Sequence, residues 1–356
     1  MKYELQKDDV LILLGAGASQ EAGIPITSEM IQKIESELND EWNEFIGLYN
    51  FIKTQVKKVS GENVNVEDLV NTLDELLLLL SKKHPLSPFQ LSWIEFIENV
   101  GYTTKAINKF RNNIINILRE WIALDSPVKA KYYQGLGLFQ KELNNPLRVF
   151  TLNYDLCIES VCSRFTFGGN EIKCDIERGF GKENEIEEYW HWSRFKIGEE
   201  EQDPDIYLYK LHGSIDWERN DDDKLIHKAA VKIQHHEIIF GTRQKVKAYD
   251  PFLFFIYEFR EYCIKAKIII VSGYGFWDDH INKIIKQALV EDKERILLVN
   301  LFNGDVKEKE AELVKRLGLD SSDQIRIVVG KASVFFSDNI SLDYLNSLLP
   351  IEDLPF

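Results

Sequence analysis

Long apolar runs are missing from this chain of 356 residues. A helix that spans a bilayer needs about 20 consecutive, mostly apolar residues, and every apolar run here is well short of that. The first nine residues are polar, so they do not have the apolar pattern of a secretion signal. We therefore expect a cytoplasmic protein that is not exported and does not bind a membrane.

Cysteine is scarce. The chain has four cysteines, and none of them forms a CxxC pair. Paired CxxC motifs hold structural zinc, and small secreted proteins depend on frameworks of paired cysteines. The sequence therefore predicts no zinc site and no disulfide framework, and it fits a reducing compartment.

The chain has fewer positively charged than negatively charged residues. Lys and Arg number 43 and Asp and Glu 58, which gives a formal net charge of −15. Such a charge repels the phosphate backbone of nucleic acids at long range. We therefore expect no direct binding of nucleic acid. The hydrophobic content of 44% supports a substantial core instead.

Strand patterns occur at both ends of the chain. Val10–Leu14 is a continuous apolar run that ends at a glycine turn, which is typical of a buried parallel strand. Further strands are predicted at 147–152, 206–211, 237–240, 267–272, 295–301 and 324–329. Helices predicted at 251–265, 279–291 and 306–317 alternate with the later strands. This alternation predicts an α/β fold with a Rossmann-like, mostly parallel sheet and helices on both faces.

The stretch between the first two strands has helical spacing. Apolar residues recur about every 3.6 positions in 65–81 and in 104–124, and Asn65 is a candidate helix cap. No repeat or long flexible linker separates this stretch from its surroundings. We therefore predict a Rossmann domain formed by 1–29 and 146–356, with a helical insertion at 30–145.

Small residues follow the first strand in the order Gly15, Ala16, Gly17, Ala18 and Ser19. Such a turn lets backbone amides approach a diphosphate. Gln20 stands where the usual dinucleotide fingerprint has its third glycine, and no acidic strand residue follows about 20 positions later. A phosphate cradle and a plain strand-to-helix turn both remain open at this position.

Three later strands also end in polar or small residues. Asn153 and Asp155 follow the second strand, where a helix cap is the alternative to a ligand contact. His212 follows the third and precedes a glycine, although a single histidine is more often structural. The segment Gly273, Tyr274, Gly275 and Phe276 follows another apolar strand, and it suits either an adenosine contact or a tight turn. Parallel sheets bind ligands at such strand ends.

These four segments, in this order, resemble the sirtuin-like family, and most closely the NAD+ hydrolases of bacterial anti-phage defence systems. The resemblance covers Val10 to Pro25 and Arg148 to Asn303 but not the helical stretch. It implies that Asn153 and His212 are catalytic. It also implies NAD+ contacts, which fall at Gly15, Ala16, Gly17, Ser19, Asp155, Gly273, Tyr274, Gly275 and Phe276.

The resemblance implies an NAD+ hydrolase that cleaves the nicotinamide–ribose bond and acts in defence by depleting NAD+. The alternatives are ADP-ribosyl transfer, deacylation, and a module that senses NAD+ or ADP-ribose. The paired CxxC motifs of deacetylases are absent, which counts against an acetyl-lysine substrate and implies a zinc-free branch. The resemblance further implies a homo-oligomer that works with an ATPase or helicase-like partner or an Argonaute-like partner.

Overall fold

The computed structural model describes residues 5–60, 64–81, 91–182, 188–196, 203–228, 236–238 and 249–349. The chain forms two compact units. Unit 1 contains Met1–Ile24, Ala123–Ile238 and Val246–Phe356, and unit 2 contains Pro25–Ile122 and Ile239–Lys245.

The strands in the described residues are β1 Val10–Leu14, β2 Leu147–Thr151, β3 Arg164–Phe167, β4 Asn170–Lys173, β5 Ile176–Glu177, β6 Phe180–Lys182, β7 Glu188–Trp190, β8 Ile206–Lys210, β9 Gly213–Arg219, β10 Leu225–His227, β11 His236–Ile238, β12 Ile268–Ser272, β13 Ile296–Leu301 and β14 Ile325–Val329.

The α-helices there are α1 Thr27–Leu38, α2 Ile46–Ser60, α3 Val66–Leu80, α4 Leu91–Val100, α5 Thr104–Ile122, α6 Gln134–Leu143, α7 Cys157–Cys162, α8 Phe252–Lys265, α9 Asp279–Glu291, α10 Val306–Leu317, α11 Ala332–Val334 and α12 Leu342–Leu348. Short 3₁₀ helices occupy Ala16–Ala22, Asn43–Phe45, Pro127–Tyr133 and Trp192–Phe195, and a π-helical turn occupies Phe335–Asn339.

A seven-stranded sheet forms the centre of unit 1, in the order β14-β13-β12-β1-β2-β8-β5. Its paired strands are all parallel. Every residue of β1, β2, β8 and β12 is buried, which explains why these strands are largely apolar in the sequence, with Arg148 in β2 and Lys210 in β8 as charged exceptions. The predicted α/β fold with a mostly parallel sheet is confirmed.

The strand order reverses direction at β1. From there the chain proceeds through β2 to β8 on one side and through β12, β13 and β14 on the other. Right-handed crossovers in opposite directions place their connections on opposite faces of the sheet. Ligands bind at the carboxyl ends of the strands beside such a reversal.

A second sheet in unit 1 was not predicted. It is antiparallel, with the order β11-β9-β10-β7-β6, and a separate ribbon pairs β3 with β4. The strand predicted at 237–240 begins one residue earlier as β11 and pairs with β9 in this second sheet. Residues 239 and 240 lie outside the described residues. Strands β4, β6 and β7 are short and partly exposed, so they lack the apolar pattern that marks the buried strands.

Unit 2 is helical. Helix α3 packs on α5, and their buried faces include Leu69, Leu73 and Phe110. Asn65 caps α3, as predicted, because its side-chain oxygen accepts the amide of Asp68 at 2.8 Å. The sequence pattern grouped 30–145 as one layer, whereas residues 123–143 lie in unit 1, where the 3₁₀ helix Pro127–Tyr133 packs on α7.

None of the helices in the described part of the chain combines the length and apolar character needed to cross a membrane.

Candidate functional site

Four adjacent strands of the parallel sheet carry the residues that the sequence analysis selected. In the order β12, β1, β2 and β8, their carboxyl ends lead to Gly273, Gly15, Asn153 and His212. All four positions lie in unit 1. The sheet order therefore brings the selected segments together at one edge, although they are up to 258 residues apart in the chain.

Asn153 is held by two hydrogen bonds from its side-chain amide. Its Nδ2 atom donates to the backbone oxygen of Gly15 at 3.0 Å and to Oγ of Ser19 at 3.1 Å. A carbonyl oxygen can only accept, so the atom that faces Gly15 must be the nitrogen. Both amide hydrogens are then used inside the protein, and Oδ1 is the atom able to accept a hydrogen bond from a ligand.

Ser19 links Asn153 to the hydroxyl of Tyr133. Its side chain is fully buried, and its Oγ atom lies 2.9 Å from Oη of Tyr133. Burial raises the pKa of Tyr133 well above its usual range, so the phenol stays protonated and can donate. Ser19, predicted to contact NAD+, is thus placed to orient Asn153 through a chain of hydroxyls that begins at Tyr133.

His212 is buried and lies beside a carboxylate. Its Nε2 atom is 3.5 Å from Oδ2 of Asp278, and their side chains are 6% and 3% exposed. The other oxygen of Asp278, Oδ1, accepts the amides of His280 and Ile281 and so caps α9. The ring of His212 is also near that of Tyr154, with 6.4 Å between centroids.

The pair formed by His212 and Asp278 crosses the carboxyl edge of the sheet. His212 follows β8 and Asp278 is in the loop after β12, with β1 and β2 between these strands. Neighbouring strands are about 4.8 Å apart, so β8 and β12 are separated by roughly 14 Å. The two loops must therefore fold inward over the ends of β1 and β2, where Gly15 and Asn153 lie.

Two glycines let the loop after β1 pack closely on the loop after β12. The amide of Gly15 donates to the backbone oxygen of Ser272, and the amide of Gly17 donates to that of Gly273, both at 2.9 Å. A Cβ atom at Gly15 would lie 2.6 Å from Cα of Tyr274. These two amides thus donate hydrogen bonds within the protein. The close packing of the two loops explains why glycine occupies both positions.

The loop after β12 alternates between buried and more exposed residues and is held by close packing and hydrogen bonds. Gly273 has a φ of +66° and no room for a Cβ beside Ala18. Phe276 also has a positive φ, +57°, and its backbone oxygen accepts from Nδ2 of Asn282 at 2.8 Å. Tyr274 is 6% exposed, and its hydroxyl accepts the amide of Asp278 at 3.0 Å. Tyr274 and Phe276 therefore build the loop that holds Asp278.

Asp155 has a structural partner. Its Oδ1 atom accepts the amide of Cys157, the first residue of α7, at 3.0 Å, although the N-cap residue of this helix is Leu156. Burial, and after it the charge of Asp155, raises the pKa of the Cys157 thiol well above its usual range. A thiol that stays protonated is a poor nucleophile, so Cys157 does not suit nucleophilic catalysis.

A buried cluster of charges lies next to the site. Lys210, which is 1% exposed, contacts Glu159 at 3.1 Å, and Arg178 makes two hydrogen bonds of 2.9 Å with Asp216. Burial favours the neutral form of Asp216, but the attraction of Arg178 and other cations outweighs it and holds the pKa of this carboxyl well below its usual range. Asp216 is therefore ionised.

His227, in β10 of the second sheet, also belongs to this cluster. Its Nε2 atom is 3.2 Å from Asp216, and its Nδ1 atom is 2.9 Å from Glu188. The hydrogen bond to Asp216 raises the pKa of His227, burial opposes this, and the hydrogen bond to Glu188 supports it. Both ring nitrogens face carboxylates, which is the arrangement of a protonated imidazole that donates twice.

Two residues of the site, Asp278 and Tyr133, were not predicted from the sequence. Asp278 directly precedes the helix predicted at 279–291, and no local pattern indicates its contact with His212, which joins positions 66 residues apart. Tyr133 lies outside every motif, and no local pattern indicates its contact with Ser19. Within the described residues, no group of three His, Cys, Asp or Glu side chains is arranged to hold a metal ion.

A known protein family matches the part of the chain that contains most of the site. Residues 147–321 match the model of the SIR2-like domain. The matched stretch contains Asn153, His212 and Asp278 but not the loop after β1.

Two solved structures are similar to the chain. One is described as "Structural Basis for the Mechanism and Regulation of Sir2 Enzymes", with 12% identity, 96% of this chain and 92% of that chain covered, and a TM-score of 0.39. The other is a Sir2 homologue in complex with NAD, with 12% identity, 95% and 90% covered, and a TM-score of 0.42. No curated protein matches the chain.

Proposed function

We propose that this protein is an NAD+ glycohydrolase whose catalytic residues are Asn153 and His212. The observation that carries the proposal is the position of both side chains at the carboxyl ends of neighbouring strands, β2 and β8, within the SIR2-like stretch. Sirtuin-like enzymes use NAD+ as a substrate, and this resemblance supplies the substrate class.

The site fits a hydroxyl or water ligand. Asn153 presents Oδ1 because Gly15 and Ser19 occupy both hydrogens of its amide. A carbonyl oxygen accepts a hydrogen bond from water or from a ribose hydroxyl. In this proposal Asn153 holds the attacking water or a ribose hydroxyl in position, and the loop from Gly273 to Phe276 contacts the nucleotide.

The reaction balances as hydrolysis. The water oxygen bonds to C1′ of the nicotinamide ribose, and the bond from C1′ to the pyridinium nitrogen breaks. The electron pair leaves with nicotinamide, which becomes neutral. His212 accepts the proton released by water and passes it to solvent, as an imidazole can near neutral pH. The products are nicotinamide, ADP-ribose and one proton.

The first experiment measures nicotinamide release from NAD+ by the purified full chain. We expect His212→Ala and Asn153→Ala to lower the rate by about 100-fold or more while the protein stays folded, because positioned proton transfer contributes that much. The proposal fails if both folded variants release nicotinamide as fast as the parent protein.

Transfer of ADP-ribose and deacylation use the same site chemistry, and mass spectrometry of the products distinguishes them. Free ADP-ribose with nicotinamide supports hydrolysis, whereas a modified macromolecule supports transfer. Tight binding of NAD+ or ADP-ribose with no product would indicate a sensing module. Either a modified macromolecule or binding without turnover would replace the hydrolase proposal.

The biological role proposed here is that of an effector that depletes NAD+ in anti-phage defence. A homo-oligomer and a partner that is ATPase or helicase-like or Argonaute-like are part of the same proposal, and the family resemblance alone supports them. Copurification from the native host, with and without phage infection, tests both the partner and the trigger.

A further inference from the structure

We propose that Asp278 is a positioning residue that sets the tautomer of His212, an inference that rests on the proposed function. Its Oδ2 atom is 3.5 Å from Nε2 of His212, and both side chains are nearly fully buried. Catalytic hydrogen bonds are often long in ligand-free enzymes and shorten when substrate binds. A carboxylate can only accept, so it selects the imidazole form that carries its hydrogen on Nε2.

The position of this hydrogen decides which ring nitrogen of His212 can act as the base. With the hydrogen on Nε2, the lone pair is on Nδ1, which can then accept the proton released by water. A carboxylate at this position also stabilises the imidazolium that forms, as in other catalytic pairs of histidine and aspartate. Asp278 thus acts on the reaction through His212 and does not itself contact the substrate.

The surroundings hold Asp278 rigidly. Its Oδ1 atom is fixed by the amides of His280 and Ile281 at the start of α9. Its own amide donates to the hydroxyl of Tyr274 at 3.0 Å. These contacts leave the carboxylate one orientation, in which Oδ1 caps the helix and Oδ2 faces His212.

The same contacts make Asp278→Asn an informative variant. The amide oxygen of asparagine must stay at the two backbone amides, because an NH₂ group there would face two other donors. The NH₂ group then occupies the place of Oδ2 and donates to Nε2 of His212. The imidazole is forced to carry its hydrogen on Nδ1, and the base is lost.

Asp278→Ser separates this effect from helix capping. Serine caps helices about as well as asparagine and aspartate, but it is too short to reach the imidazole, so either tautomer can form. We expect kcat to fall by about 10-fold in the serine variant and by about 100-fold or more in the asparagine variant. The larger loss is expected because the asparagine variant enforces the wrong tautomer of the imidazole. KM for NAD+ should change by less than about threefold, since substrate contacts remain.

Asp305→Asn is the matched control. Asp305 caps α10 by accepting the amide of Glu308 at 3.1 Å, and this contact needs no negative charge. We expect this variant to have the same kcat as the parent protein. A purely structural role for Asp278 predicts the opposite order, with the asparagine variant at least as active as the serine variant, and that order would overturn the proposal.

A readout independent of turnover keeps this test separate from the proposed function. ¹⁵N NMR of the histidine rings, with the signal of His212 assigned through His212→Gln, reports which nitrogen carries the hydrogen. We expect Nε2–H in the parent protein and Nδ1–H in Asp278→Asn. An unchanged tautomer overturns the inference even if NAD+ is hydrolysed, and a changed tautomer supports it even if NAD+ is not the substrate.

Discussion

The Nδ2 atom of Asn153 donates a 3.0 Å hydrogen bond to the backbone oxygen of Gly15, and this contact joins the ends of β2 and β1. The bond defines the orientation of the amide, because Gly15 offers only an acceptor. Oδ1 of Asn153 is therefore directed away from the loop that follows β1. The function proposed for Asn153 depends on this orientation.

Asn153→Asp tests that orientation. A carboxylate cannot donate to Gly15, so the side chain must turn or repel the carbonyl oxygen. We expect nicotinamide release to fall by about 100-fold or more and the thermal midpoint to fall as well, because a buried charge loses its solvation. Asn145→Asp is the control, since Asn145 lies before β2 at the opposite edge of the sheet. If the Asn153→Asp protein folds and keeps the parent rate, the assignment is contradicted.

Tyr133→Phe tests the hydroxyl chain that ends at Asn153. The change removes the group 2.9 Å from Ser19 and leaves the ring in place. We expect stability to fall by about 1 kcal/mol and kcat to fall several-fold with little change in KM, since Asn153 is less well ordered. Tyr207→Phe removes a hydroxyl that contacts Asp203, away from the site, and should lower stability alone. Equal kcat values for the two variants would exclude a positioning role for Tyr133.

Gly15→Ala tests the close packing of the two glycine loops. A Cβ atom there would be 2.6 Å from Cα of Tyr274 and 2.7 Å from the backbone oxygen of Gly273, so backbone must move. We expect a cost of about 1–3 kcal/mol, typical of overpacking, measured by chemical denaturation. Gly330→Ala is matched, because no atom lies within 4 Å of its Cβ position, and it should change stability by less than about 0.5 kcal/mol. Similar costs at both positions would argue against this packing.

The contacts of His227 predict a pH dependence of stability. Its pKa is raised in the folded protein, chiefly by the hydrogen bond to Asp216. A raised pKa contributes stability that is complete below the unfolded value of about 6.5 and is lost as pH rises through the folded value. We therefore expect the thermal midpoint to fall from about pH 6 upward, and His227→Gln to reduce that fall.

The control for this pH series is His280→Gln, because the side chain of His280 is exposed. Thermal midpoints measured from about pH 5.5 to about pH 8.5, which brackets the titration of histidine, give the comparison for the parent and both variants. If the parent and His227→Gln lose stability in parallel across this range, the cluster around Asp216 is not the source of the dependence.

Local sequence patterns predicted the buried strands and many of the helices. The helices at 279–291 and 306–317 and the strand Val10–Leu14 have the predicted bounds. A strand buried on both faces is mostly apolar, and an amphipathic helix repeats at about 3.6 residues, so both leave local signals. The short antiparallel strands, such as β6 and β7, are partly exposed and leave no such signal.

The carboxyl ends of β1, β2, β8 and β12 could be recognised from residues alone, because each buried strand ends at a small or polar residue. The residues that contact the selected side chains could not be recognised from the sequence alone. The contacts of His212 with Asp278 and of Ser19 with Tyr133 join residues 66 and 114 positions apart. Periodicity and turn chemistry act over a few residues, whereas these contacts exist because strand order folds distant loops over the same sheet edge.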